Sequence, residues 1–254
     1  MDIKILVATH KKYVMPKDDD LYLPIFVGAQ NSSIDLPYQP DNQGKNISSL
    51  NPYYNELTAQ YWAWKNLKNV DAVGLVHYRR YFSLNGKKGL DNILSKEEIE
   101  TILASNNAIL PTQRNYYIET NYSHYVHAHK KEPLEIATQV ILKKYPNYYP
   151  ELEKVFKRTK AHYFNMFILP KKLFDEYSKW LFDVLEETYK QIDYTNYDDY
   201  EIRSLGFISE LLLDVWINYN NIKYAEVPFV FQEKQNWISK AGKFVVRKIK
   251  GESK

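Results

Sequence analysis

Polar and apolar positions change period several times along this chain of 254 residues. Near the start, "IKILVATH" is an unbroken apolar run closed by polar residues, the pattern of a buried β-strand. A loop with two prolines, "KKYVMPKDDDLYLP", leads to a second short strand in "IFVGAQ". Residues 31–52 are rich in Asn, Ser, Gly and Pro and predict a long ordered loop, and loops of that length inside a compact domain are usually functional. "NPYYNELTAQYWAWKNL" returns apolar residues at helical spacing, with Asn51 as cap and Pro52 in the first turn. "VDAVGLVHYRRYF" opens as a buried strand and ends in charge. "SKEEIETILAS" predicts a helix capped by Ser95, and "NAILPTQ" a strand.

The middle of the chain, from "YSHYVHAH" to "LEKVFKR", reads as mostly helical with a break near "KKYPNYYP". "AHYFNMFILPKKLFDEYSKWLFDVLEETYKQI" predicts a strand and then a long amphipathic helix. "RSLGFISELLLDVWINYN" predicts one more helix, and "IKYAEVPFVF" a late strand. Strands alternating with helices predict an α/β fold with a mainly parallel sheet flanked by helices. The organisation expected is one domain over 1–235, with a helical subregion near 115–160 and a basic amphipathic tail over 236–254.

Composition narrows the function classes. The chain is 44% hydrophobic and 26% charged, as soluble globular proteins are, and a net charge of +3 is too small to make nucleic acid the main partner. The absence of cysteine removes disulfides, Cys-ligated zinc and thiolate catalysis. The segment "MDIKILVATHKKY" lacks a signal-peptide layout, and no apolar run approaches the ~18 to 20 residues of a membrane span, so a cytoplasmic protein is expected, peripheral to a membrane at most. Only eight glycines occur, in neither GxGxxG nor GxxxxGK, which argues against Rossmann dinucleotide enzymes and P-loop NTPases. Abundant Tyr and Trp offer flat faces with a polar edge, suited to sugar rings and nucleobases; a coding bias toward Tyr, Lys and Asn explains them equally well.

The chemistry concentrates at His77, Tyr78, Arg79 and Arg80. They stand at the carboxyl end of a strand, where open α/β sheets bind ligands. Two adjacent arginines cannot both enter an apolar core unpaired, because each buried ion costs several kcal/mol. At least one is expected to face an anion, with phosphate preferred because guanidinium pairs with it in a bidentate way; a surface pair bridging local carboxylates is the alternative. The exit of the first strand supplies Thr9, His10 and Lys11, near the same crevice or in an ordinary polar loop. The loop "DNQGKNIS" carries Asp41, Gly44 and Asn46, followed by Glu56 and Thr58 on the next helix, a setting suited to ribose or phosphate.

Wound at about 100° per residue, "RSLGFISELLLDVW" puts Leu205, Ile208, Leu212, Val215 and Trp216 on one face and Arg203, Phe207, Glu210 and Asp214 on the other. Phe207 among charges suits a cleft wall, which makes Glu210 a candidate general base; a solvated face with an Arg/Glu pair is the plainer reading. The triplet Asp18–Asp20 reads as a solvated charge run rather than a metal site. His124, His127 and His129 lie close enough in sequence to raise zinc as a minor alternative. The tail mixes Trp237, Ile238, Phe244, Val245 and Ile249 with lysines and Arg247. It fits an interfacial helix on an anionic membrane surface, or a merely soluble basic tail.

Taken together, "DNQGKNIS", "NPYYNELTAQYWAWKN", "GLVHYRRYF", "HYFNMFILP" and "GFISELLLDVW" resemble a family first catalogued as a domain of unknown function and found in bacterial capsular and exopolysaccharide loci. The resemblance runs from Ile3 to about Phe231. It implies a GT-A-like nucleotide-sugar fold and glycosyltransferase activity. The donor is then a nucleotide-sugar, UDP-linked first, with galactofuranose a leading sugar. The acceptor is a lipid-linked glycan at the inner face of the plasma membrane. "HYR" stands where the wider fold carries Asp-x-Asp, so Arg79 and Arg80 are expected to neutralise the diphosphate, with a divalent Mn or Mg ion left open. Tyr78 and Trp62 are expected against base or sugar, and Asn165, Met166 and Arg203 at the sugar or acceptor. The implied mechanism is a single inverting displacement with Glu210 as base and Asp198 or Asp199 as substitutes. A non-catalytic nucleotide-sugar or glycan-binding protein is the rival reading. A phosphotransferase with His77 as nucleophile is the third.

Overall fold

The computed structural model describes residues 1–233. The expected basic tail over 236–254 lies outside them. In chain order the elements are β1 (Ile3–Thr9), β2 (Tyr22–Phe26), β3 (Gln39–Pro40), α1 (Asn51–Tyr54), α2 (Leu57–Asn66), β4 (Ala72–His77), β5 (Arg80–Phe82) and α3 (Lys96–Leu103). Then follow β6 (Ala108–Pro111), β7 (Arg114–Asn115), α4 (Asn121–Ala128), α5 (Lys131–Lys144), α6 (Tyr149–Lys157) and β8 (Lys160–Ala161). The chain continues through β9 (Phe167–Pro170), α7 (Lys171–Tyr189), α8 (Ser204–Tyr219), β10 (Tyr224–Val227) and β11 (Phe229–Phe231).

Among the described residues the main sheet runs β10-β6-β9-β4-β1-β2-β3, with β5 joining β4 to β11 at one margin. β1 pairs in parallel with β2 and β4, β2 with β3, and β6 with β10; β9 is antiparallel to both β4 and β6. This is the α/β, largely parallel architecture that the alternating pattern predicts. Side chains alternate across β1: Leu6 and Ala8 face a core built with α2, α5, α7 and α8, while Ile3, Ile5 and Val7 face a second core closed by α3. Gly74 is required where β1, β4 and β9 crowd, since a Cβ there would come within 2.6 Å of Ile5 Cδ1. No helix among the described residues is long and apolar enough to cross a membrane.

Three boundaries differ from the pattern. The helix expected over 51–67 breaks at Asn55, whose φ of 51° and ψ of −128° are not helical, so Glu56 caps a second helix. The late strand splits at Pro228: β10 stays parallel to β6, while β11 turns to pair with β5. Proline has no N–H to continue a ladder. The strand expected from "AHYFNMFILP" forms only from Phe167, because Phe164 and Asn165 both take left-handed backbone, with φ of 76° and 52°. The breaks at Asn55 and Phe164 bound one cavity. Ser95 caps α3 with a reciprocal capping box through Glu98, as its sequence predicts.

Candidate active site

β1 and β4 run parallel in a register that places Ala8 beside His77, so both carboxyl ends open on the same side of the sheet. A cavity of about 520 Å³ lies there. Its floor is the two strand exits, and its walls are the α1–α2 junction, the 162–165 turn, the first half of α8, and α4 with the strand β7 before it.

Four guanidiniums line it: Arg79, Arg80, Arg114 and Arg203. Arg79 lies over the Tyr78 ring at 5.1 Å and meets Glu233 at 3.4 Å; Lys11 shares both partners, at 5.2 and 3.8 Å. Arg203 donates from Nε to Asn55 Oδ1 at 2.8 Å, and Arg114 stands over Tyr116 at 4.9 Å. Arg80 differs from these. It packs between the rings of Phe164, at 4.3 Å, and Phe231, at 5.2 Å, and its Nε is buried with no hydrogen-bond partner. Burial, reinforced by the Arg79 charge, holds its guanidinium below the usual value. A guanidinium so placed on a cavity wall is chemically suited to hold an anion. Burial, then the charges of Lys11, Arg79 and Arg203, likewise hold His10 below its usual value.

Two carboxylates face this positive field. Glu56, 12% exposed at its side chain, accepts a 2.7 Å hydrogen bond from Asn165 Nδ2 and lies 3.9 Å from His77 Nε2. Glu210 accepts the backbone N–H of Phe164 and is pushed up to about 8, first by burial and then by the Glu56 charge, with Arg80 opposing. His77 Nε2 donates to the Phe164 carbonyl at 2.7 Å, which fixes the proton on that nitrogen; burial holds the ring below its usual value and so neutral. The Phe164–Asn165 turn thus contacts His77, Glu56 and Glu210 at once.

The expected site residues divide by position. Thr9, His10, Glu56, His77, Tyr78, Arg79, Arg80, Arg203 and Glu210 line the cavity. Tyr78 is only 4% exposed, its ring covered by Lys11, Arg79, His10 and Tyr13, so it carries cations and offers no open stacking face. The others stand elsewhere. Asp41 is fully buried and takes the N–H groups of Gly28 and Ala29 and the Ser48 hydroxyl. Gly44, at φ 67°, turns the same loop against Asn66, and Asn46 binds that loop's own carbonyls. Trp62 donates its indole N–H to the Gln43 carbonyl at 3.0 Å, and Thr58 bonds the Asn55 carbonyl. These five residues fold the long loop and its helix instead of facing the cavity.

Asn165 is buried behind Glu56, and Met166 lies wholly in the core. Asp198 and Asp199 are exposed on the α7–α8 connection, where Asp198 accepts the N–H groups of Tyr200 and Glu201. Asp214, expected beside Glu210, is 2% exposed and bound to buried His162. His124 and His127 both bond Glu119, and His129 stacks on Phe207, so the three histidines do not converge. No group of three or more His, Asp or Glu is placed to hold a metal among the described residues. The pattern alone does not point to Arg114, on a two-residue strand, or to Asn55, whose bent backbone aims Glu56.

Comparison with known proteins gives two matches. Residues 4–221 match the family model described as Domain of unknown function (DUF4422). Among solved structures, the apo structure of WbbM, a bifunctional glycosyltransferase, is similar with a TM-score of 0.83 and 27% identity over 92% of this chain. The match covers 46% of that protein, so this chain spans less than half of its length. No curated protein sequence matches.

Proposed function

The chain belongs to the family described as Domain of unknown function (DUF4422), and from that premise we propose that it is a glycosyltransferase that moves a hexose from a nucleotide-sugar donor to a glycan hydroxyl. The likeness to a glycosyltransferase structure supports the reaction class. The observation that carries the reading is Arg80, on the cavity wall beside Arg79, with its Nε buried and without a hydrogen-bond partner. Such a site suits the diphosphate of a donor and the charge that develops as it departs. In the displacement, the acceptor oxygen bonds to the anomeric carbon and the bond from that carbon to the phosphate oxygen breaks, its electron pair leaving with the nucleoside diphosphate. A carboxylate of the cavity takes the hydroxyl proton.

UDP is the nucleotide proposed first, with galactofuranose as the sugar and a lipid-linked glycan at the inner membrane face as acceptor. The guanidiniums take the role that a divalent ion fills in many transferases of this kind. The test is nucleoside diphosphate release from a panel of UDP-, GDP- and dTDP-sugars, with and without EDTA, with membrane extract as acceptor source. Acceptor-stimulated release from one donor that survives EDTA is the expected result. Binding of donors without release would make the protein a nucleotide-sugar binder.

A further inference from the structure

The cavity holds two carboxylates, and they are not equivalent. Asn165 spends both amide hydrogens on acceptors, Glu56 Oε1 at 2.7 Å and the Gly206 carbonyl at 3.1 Å, while its own oxygen accepts from Ser209 at 2.9 Å. The Gly206 carbonyl can only accept, which fixes the orientation of the amide: it presents N–H, not oxygen, to Glu56. A carboxylate held by one oxygen on a buried amide keeps the other free, and Glu56 lies on the cavity wall. Glu210 has different surroundings. Glu56 from the α1–α2 junction, Arg80 from β5, Arg114 and Tyr116 from the β7 segment, and Tyr163 from the turn all act on it.

From this geometry we propose that Glu56 takes the proton of the attacking hydroxyl, that Asn165 is the positioning residue that holds it, and that Glu210 stands opposite as an uncharged hydrogen-bond donor. The assignment rests on the transferase reading above. In the displacement the proton passes from the acceptor hydroxyl to Glu56, and the electron pair of the broken glycosyl–phosphate bond leaves with the nucleoside diphosphate. Glu210 keeps its proton and shares it in a hydrogen bond with a phosphate oxygen. The shift of Glu210 toward about 8 agrees with this division. An ionised Glu210 would pair with Arg80 and cancel the charge the diphosphate needs. A neutral one leaves Arg80 to the diphosphate, and among the described residues Arg80 Nε has no hydrogen-bond partner. A carboxyl kept neutral by its site so that it can donate a hydrogen bond is a recurrent acid–base arrangement.

The experiment uses the full chain and its best donor, following nucleoside diphosphate release from pH 5.5 to 9.5, with UDP binding measured calorimetrically. Wild-type kcat/KM is expected to fall above about pH 8, where Glu210 ionises. E210Q should abolish that fall and keep activity at pH 7 within about tenfold. E56Q should lose about 10² to 10⁴ in kcat with UDP affinity changed less than about threefold. N165D keeps the acceptor for Ser209 but loses the N–H to Glu56, and should lower kcat without raising the donor KM. If E56Q stays active, or the rate climbs through pH 8 and E210Q is the dead variant, the base is Glu210 and the proposal fails. If wild type releases nothing from any donor, the transferase reading fails and takes the role of Glu56 with it. Carbon-13 titration of the glutamate carboxyls checks the geometry apart from turnover: the signal lost in E210Q should titrate near 8 and move down in E56Q, and no movement would overturn the pairing.

Discussion

Asn165 donates a side-chain hydrogen to Glu56 Oε1 across 2.7 Å, joining residues 109 positions apart in the sequence. The bond exists because two backbones are bent away from regular structure. Asn55 leaves the helix just before Glu56, and Phe164 and Asn165 both adopt positive φ. Left-handed backbone is uncommon for a residue as bulky as phenylalanine, and it persists only where the surroundings over-determine it. Here the turn is held by His77 on its carbonyl, Glu210 on its N–H, and Ser209 and Gly206 on the asparagine. The site is therefore a product of several elements and belongs to no single motif.

Arg80 gives the most direct test of the proposed anion site. Arg80→Ala should weaken UDP binding by about 10- to 100-fold, the range of a charge-assisted hydrogen bond of about 1.5 to 3 kcal/mol. Arg80→Lys should recover little of it, because an ammonium lacks the planar fork and cannot reproduce the packing on Phe164 and Phe231. Calorimetry with UDP at two salt concentrations measures both, and unchanged affinity in Arg80→Ala would place the diphosphate elsewhere.

Gly206 and Asn55 meet where two parts of the cavity wall join. A Cβ there would come within 2.6 Å of Asn55 Nδ2, and Asn55 also receives Arg203 Nε. Gly206→Ala should push Asn55 aside and move Glu56 with it. The expected outcome is a loss of kcat of about 10²-fold with a small change in melting temperature, since alanine favours the helix interior. Equal losses of stability and activity would mean that the collision unfolds α8 instead of displacing the junction.

What the sequence made legible follows from how local each cause is. "HYRRYF" stood out because a costly cluster follows an apolar run directly in the chain, and the strand exit is where the cavity lies. The same wheel that put Glu210 and Phe207 on a cavity wall also put Asp214 there, because angular position cannot distinguish a cleft from a buried polar partner; His162, from another element, decides it. Asp41, Asn46 and Trp62 resembled ligand residues because loop-holding and ligand-holding use the same side chains, and the loop's own backbone claims them. At the break, the Asn55 side chain packs against Gly206 and receives Arg203, tertiary contacts that periodicity does not carry.

The His162–Asp214 pair is predicted to support the site from behind. Both residues are at most 2% exposed. Asp214 accepts the His162 backbone N–H at 3.1 Å and also its ring Nδ1, while the ring's other nitrogen lies 3.3 Å from Glu226. Asp214→Ala leaves a buried imidazole and a buried amide without their partner, which should cost about 3 to 5 kcal/mol in urea unfolding. Because His162 lies two residues before Phe164, activity should fall as well, even at temperatures where the variant is fully folded. Asp214→Asn keeps an acceptor oxygen and should be the milder change.

Glu210 should trade stability for its position, in a way that depends on pH with a definite sign. Its carboxyl is pushed from 4.5 up to about 8 in the folded protein, chiefly by burial and then by Glu56. A folded state that holds a proton more tightly than the unfolded chain is favoured at low pH. The stabilisation is complete below about 4.5 and is lost as pH rises through 8. Glutamine has the same shape and no charge to bury. Glu210→Gln should therefore melt close to wild type at pH 5 and clearly above it at pH 9, the gap opening between those values. Differential scanning calorimetry across that range measures it. A gap of the opposite sign at pH 9 would mean that an ionised Glu210 is stabilised by Arg80 and Arg114 more than it is penalised by burial, and the cavity would then hold two charged carboxylates.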